Sequence, residues 1–126
     1  MGQKLINTGK EGENAAIKYL RSKKYRIYAT NWRFRRAEID IIAYKSPFLI
    51  FCEVKTRSGI DFGDPAEAVD DKKIRLLSDA ATAYMIEKDY QGEFRFDILS
   101  IVMKNTKEYS ITHYEDAFFP GLNLDI

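Results

Sequence analysis

Asp40, Glu53 and Lys55 are the residues whose types and spacing could do chemistry, because they interrupt stretches that otherwise suit the interior of a β-sheet. Residues 37–44 and 48–56 are β-branched and aromatic-rich runs joined across Ser46-Pro47, a pattern that predicts two antiparallel strands. Alternate residues of a strand share a face. Glu38, Asp40, Ile42 and Tyr44 are therefore expected together, as are Leu49, Phe51, Glu53, Lys55 and Arg57. An even hairpin sets Asp40 opposite Glu53 and Glu38 opposite Lys55. Directly opposed Cβ atoms lie about 4.5–5.5 Å apart, where like charges destabilise a sheet. The apolar neighbours Ile42, Leu49 and Phe51 argue against a fully solvated face, and desolvating unpaired carboxylates is costly. A cation should compensate, and both Lys55 and a divalent ion are candidates.

Oxygen ligands at close quarters suit Mg²⁺ or Mn²⁺, which take one or two carboxylates and leave their other positions to water or substrate phosphate. Such an ion could activate water and neutralise a phosphodiester, with Lys55 orienting the nucleophile or stabilising the developing charge. The same residues would equally form a cross-strand salt-bridge ladder, Glu38 with Lys55, near the exposed end of the sheet. Register decides, since a three-residue turn would put Asp40 opposite Cys52 and dissolve the group. Other chemistries have little material. One histidine, His113, cannot build a His-rich metal site, and one cysteine, Cys52, provides neither a disulfide within the chain nor a Cys-based zinc site. Both are assigned to core or surface without function.

The elements that must position these groups are legible from periodicity. Thr8 and Glu11 have capping-box spacing, and Ala16, Tyr19, Leu20 and Lys23 recur at helical intervals, predicting a helix over about 9–23. Residues 25–34 form a further strand-like run before the hairpin. Gly59, Gly63 and Pro65 punctuate a loop. Ile74, Leu77, Ala81 and Tyr84 then mark an amphipathic helix from about Ala66 or Asp70 to Lys88. Residues 94–103 and 109–114 are the last two expected strands. The order α-β-β-β-α-β-β predicts an α/β fold with helices covering a mixed sheet. With 126 residues, 45% of them apolar and 31% charged, the chain is expected to be one globular domain spanning 1–126. Its single cysteine suits a reducing cytoplasm. The longest apolar run, residues 48–52, is far short of the roughly 20 residues of a membrane span, so no membrane association is expected.

A net charge of +1 conceals an uneven distribution. Residues 18–36 carry eight cations, including Arg33, Arg35 and Arg36, and no acid, interleaved with Tyr19, Tyr25, Tyr28, Trp32 and Phe34. This density could neutralise several phosphates of a nucleic acid, or merely solvate a helix end and an exposed strand. Lys72, Lys73 and Arg75 could touch DNA or form a solvated helix face. Trp32 and Phe34 are expected to pack rather than stack on bases. Asp97, beside Arg95, is expected to hold a buried ion pair or a helix end rather than to act in catalysis.

Asp40 followed by Glu53-Val54-Lys55 resembles the P-D…(D/E)-x-K signature of restriction-endonuclease-like nucleases, with Ile39 in place of the proline. With Gly9-x-x-Gly12-Glu13-x-x-Ala16, Asn31-Trp32-Arg33, Glu38-Ile39-Asp40, Glu53-Val54-Lys55-Thr56-Arg57, Pro65-x-Glu67-Ala68-Val69, Lys72, Arg95-Phe96-Asp97 and Ala117-Phe118, the chain resembles the YraN-like family of small uncharacterised bacterial proteins. Ala37 stands where that family usually shows glycine. The family is considered similar to archaeal Holliday-junction resolvases, Mg²⁺-dependent dimeric nucleases of branched DNA. The resemblance implies a restriction-endonuclease-like fold and metal ligation by Asp40, Glu53 and Glu13, with catalytic support from Lys55. DNA, including branched or damaged structures, is the implied partner. Arg33, Arg35, Arg36, Arg57 and Lys72 are its candidate contacts, and a homodimer is suggested only by the resolvases. The expected function is a Mg²⁺- or Mn²⁺-dependent endonuclease. The alternatives are a nucleic-acid-binding protein that keeps the fold without hydrolysis and an accessory scaffold.

Overall fold

A computed structural model describes residues 8–58 and 70–118, apart from the side chains of Thr8 and Ser58. The expected capping contact of Thr8, the loop with Gly59, Gly63 and Pro65, the Pro65-x-Glu67-Ala68-Val69 motif and the final Phe119-Pro120 lie outside the described residues. The elements follow the expected order: α1 (Thr8–Ser22), β1 (Arg26–Phe34), β2 (Ala37–Lys45), β3 (Phe48–Ser58), α2 (Asp71–Glu87), β4 (Glu93–Met103) and β5 (Tyr109–Phe118).

The five strands form one mixed sheet in the order β1-β2-β3-β4-β5. All neighbours are antiparallel except β3 and β4, which run parallel and are connected by way of α2. A parallel pair requires such a crossover, and the helix that makes it covers a sheet face. On that face Leu77, Ala80, Ala81 and Tyr84 of α2 pack with Ile42, Leu49, Phe51, Phe96 and Ile98. On the other, Ala15, Ala16 and Leu20 of α1 pack with Ile41, Ala43, Ile50, Cys52, Leu99 and Ile101. The central strands are therefore apolar on both sides, and any charged group within them needs a specific partner. Trp32 and Phe34 pack against the α2 core as expected, Trp32 edge-on to Tyr84 at 5.3 Å between ring centroids.

Helix ends are set locally. α1 closes with the Tyr25 N–H donating to the Leu20 carbonyl (2.9 Å) while Lys24 takes a left-handed φ of 74°, a helix-terminating arrangement more often built on glycine. α2 starts at Asp71 because Asp70 caps it, its carboxylate accepting from the Lys73 N–H at 2.8 Å. The last strand runs to Phe118, beyond the expected end at Tyr114. A register shift between Phe96 and Ile98 lets Asp97 accept the Asp116 N–H (3.0 Å), and Asp116 adopts φ 53°. Pairing then resumes at Phe96 with Phe118. Side-chain capping of a bulged backbone leaves no period-two signal in the sequence.

Candidate active site

The hairpin turns evenly about Ser46 and Pro47, with Lys45 paired to Phe48 and the register continuing through Ile41 and Cys52. Backbone pairing of β2 with β3 stops there. Beyond it, the Asp40 carboxylate takes the place of a backbone acceptor and receives the Val54 N–H at 2.8 Å. The expected strict alternation along β2 also breaks at this point. Ile39 and Ile42, three residues apart, both join the α2 core, while Ile41 and Ala43 join the α1 core. The backbone change brings Asp40 to β3 through its side chain.

Asp40 and Glu53 meet in a cleft of about 310 Å³ between the sheet and the start of α2, rimmed by Arg36, Glu38, Lys72 and Lys73 and floored by Leu76 and Leu77. Glu53 is 4% exposed. Burial, then a hydrogen bond to Glu53 and its negative charge, pushes the Asp40 carboxyl up from an ordinary 3.8 to about 8; the Val54 N–H and Lys73 only partly oppose this. The nearest positive charge is Lys73 of α2, its Nζ 2.6 Å from Glu53 Oε2. That short, charge-assisted contact is the partner of Oε2, which is otherwise buried. Burial lowers the Lys73 ammonium pKa, but its contact with Glu53 more than offsets this and leaves it raised. Lys55, half-buried, is lowered by burial and then by the adjacent Lys73. Two carboxyls and two ammonium groups thus share one patch.

The other expected residues are distributed around it. Glu13, in the first half of α1, accepts from Asn31 Nδ2 at 2.9 Å. It does not join the pair: among the described residues, no three His, Cys, Asp or Glu side chains gather as a metal cluster. Glu38 pairs with Arg33 of β1 at 3.5 Å, not with Lys55, so the expected ladder does not form. Arg35 lies over the Phe34 ring at 5.0 Å and takes φ 56° in the β1–β2 turn. The left-handed position of this connection is therefore Arg35, and Ala37 is buried in the α2 core without one. Arg36 and Lys72 stand exposed at the cleft, and Arg57 is half-buried beyond Lys55 on β3.

Lys73, expected either as a DNA contact or on a solvated helix face, instead faces the carboxylate pair; its place at the third position of a helix capped by Asp70 is the available signal for its direction. His113, expected in the core or at the surface without function, takes a structural role instead. Away from the cleft, fully buried Asp97 is held by Arg95 (2.9 and 3.1 Å), by His113 Nε2 (2.7 Å) and by the Asp116 N–H. Burial alone would raise its pKa, but these partners hold its carboxyl below the ordinary range. This is the expected buried ion pair, enlarged by a histidine that also meets the Tyr19 hydroxyl at 3.1 Å.

Two neighbouring carboxylates, one of them buried with a lysine ammonium as its counter-charge, are a fitting donor set for a hard divalent ion that keeps water or phosphate in its remaining positions. Among the described residues, no helix is long and apolar enough to cross a membrane. Residues 12–101 match the family described as "Uncharacterised protein family UPF0102". A UPF0102 protein of Flavobacterium psychrophilum is 50% identical over 111 residues, covering 88% of this chain and 92% of its own. One from Christiangramia forsetii is 46% identical, with coverage of 88% and 92%. Another, from Persephonella marina, is 41% identical, with coverage of 87% and 91%.

Proposed function

Because the chain belongs to the uncharacterised family UPF0102, its chemistry has to be sought in its own site, and we propose that it is a metal-dependent endonuclease hydrolysing DNA phosphodiesters. The carrying observation is the Asp40–Glu53 pair, kept adjacent in a cleft despite the penalty visible in Asp40. Structures conserve such strain where it serves a site, and paired carboxylates with displaced pKa values are candidates on physical grounds. The mixed sheet flanked by two helices, with Asp40 on the second strand and Glu53 and Lys55 on the third, supports kinship with the restriction-endonuclease-like nucleases.

Asp40 and Glu53 would hold Mg²⁺ or Mn²⁺. When bound, the ion would lower the pKa of a water and neutralise charge on the scissile phosphate. Lys55, two residues from Glu53 and lowered by burial, would orient the attacking water or stabilise charge on the phosphate. Arg36 and Lys72 at the rim, with Arg33 and Arg35 just before Arg36 and Arg57 two residues beyond Lys55 in the sequence, would bind backbone phosphates without reading bases. Branched or damaged DNA and a homodimer belong to this proposal by kinship with the resolvases.

The test is purified protein with Mg²⁺ or Mn²⁺ on forked, four-way and single-stranded DNA. Metal-dependent cleavage lost in Asp40→Asn and Glu53→Gln is expected; cleavage indifferent to both changes refutes the assignment. A non-catalytic nucleic-acid-binding role has one observation in its favour, the engagement of Glu13 by Asn31 away from the pair. Salt-sensitive binding to DNA without metal-dependent cleavage would establish that role.

A further inference from the structure

Building on the assignment of Asp40 and Glu53 as ion ligands, we propose that Lys73 is a built-in counter-cation that occupies the ion's place beside Glu53 and must swing away when a divalent ion binds. Glu53 is almost fully buried, its side chain 5% exposed, yet its nearest cation comes from the other side of the cleft and not from its own strand. The Lys73 ammonium lies 2.6 Å from Oε2, filling the position beside that oxygen. It compensates the charge of a carboxylate that is otherwise almost fully buried. An ion coordinating Oε2 would need the space that Nζ fills, so the two cannot occupy it together.

The construction around Lys73 permits exchange. Its backbone is fixed, since its N–H donates to the Asp70 cap, but its side chain remains 38% exposed. A lysine is a compact charge on a four-carbon stem, able to rotate into water without moving the helix. Lys55 sits close enough for Lys73 to act on it as a like charge, so departure of Lys73 also removes a repulsion from that amine. The adjacent Lys72 is exposed at the same rim and makes no ion pair with Glu53 among the described contacts. The role therefore belongs to Lys73 by position and not to basic residues of this turn in general. In this arrangement the lysine keeps the carboxylates together before the ion arrives and sets an ion-concentration threshold for loading.

The experiment is titration of Mn²⁺, followed by electron paramagnetic resonance of the free ion, into wild-type, Lys73→Met, Lys73→Arg, Asp40→Asn and, as a distant control of equal charge change, Lys88→Met protein. Removing a competing, partly buried charge contact should tighten Mn²⁺ binding about tenfold in Lys73→Met. Lys73→Arg and Lys88→Met should stay within about twofold of wild type. In wild-type protein, acetylation of the Lys73 amine, read by mass spectrometry, should accelerate when Mn²⁺ is added. If Asp40→Asn loses the ion while Lys73→Met binds it no better than wild type, Lys73 is only structural and this inference falls while the ion site stands. Failure of every variant to bind Mn²⁺ overturns the ion-site assignment and this inference with it. Should Lys73→Met not fold, Lys73→Gln replaces it. Unchanged acetylation of the wild-type lysine then also refutes displacement.

Discussion

Asp40→Asn should stabilise the metal-free protein, and should do so in a pH-dependent way. In the folded chain the carboxyl is lifted from 3.8 to about 8. At about 1.4 kcal/mol for each tenfold change in proton affinity, the penalty for ionising it is at most about 6 kcal/mol. Titration is coupled to Glu53, Lys73 stands nearby and water reaches the cleft, so about 2 kcal/mol is a more realistic net cost. Sign follows from linkage. A raised acid pKa means that the folded state binds more protons than the unfolded one between the two values, so wild-type stability falls as pH rises from about 4 to about 8. Asparagine removes the charge, its carbonyl oxygen can still accept the Val54 N–H now bonded to Asp40 Oδ2 at 2.8 Å, and its amide can donate to Glu53. The variant should melt roughly 8 °C above wild type in chelator at about pH 8.5, at roughly 4 °C per kcal/mol for a chain of this size. This advantage should shrink steadily toward about pH 4. Differential scanning calorimetry across that range measures it. Added Mn²⁺ should stabilise wild type and not the variant, since an ion present at about 100 times its dissociation constant contributes about 2.7 kcal/mol. A variant less stable than wild type at high pH, or a difference that does not vary with pH, would refute the account of the pair as a stored electrostatic cost.

The remaining predictions address other groups. Lys55→Met should abolish metal-dependent DNA cleavage while leaving Mn²⁺ affinity within about threefold, because its amine lies beside the ligands without being one; a matching loss of ion binding would make it a structural residue. Arg95→Met leaves Asp97 buried without its two guanidinium contacts and should cost about 3–5 kcal/mol in chemical denaturation. A loss below about 1 kcal/mol would show that His113 and the Asp116 N–H suffice. Gly12→Ala should destabilise by about 1–3 kcal/mol although alanine is the better helix former. The added Cβ would stand 1.8 Å from Thr56 Oγ1 and 2.7 Å from two Thr56 carbons, and the double variant with Thr56→Gly should recover most of the loss. Neutral or positive stability in the single variant would mean that α1 does not rest on β3 at that point.

What was legible in the sequence and what was not divide along a physical line. Periodicity is a backbone property, so the amphipathic stripe of Leu77, Ala81 and Tyr84 and the apolar runs of β3 and β4 give away their elements, and a two-residue turn suffices to put Ile41 opposite Cys52. The same register brings Asp40 close to Glu53, but through its carboxylate bonding the Val54 N–H where backbone pairing has ended. Extrapolating the ladder one step further, to Glu38 and Lys55, fails because β2 has left β3 there and Arg33 on the other neighbouring strand claims Glu38. Side-chain contacts between elements are less legible still. Lys73 reaches Glu53 only because the β3–α2–β4 crossover lays the start of α2 over that part of the sheet, and His113 reaches Asp97 only because β5 pairs with β4 past a register shift. Neither distance is fixed by local spacing, since each depends on how two separate elements are packed or paired. The carboxylate pair is accordingly the part of the site that a single hairpin specifies, and its compensating charge is the part that required the tertiary fold.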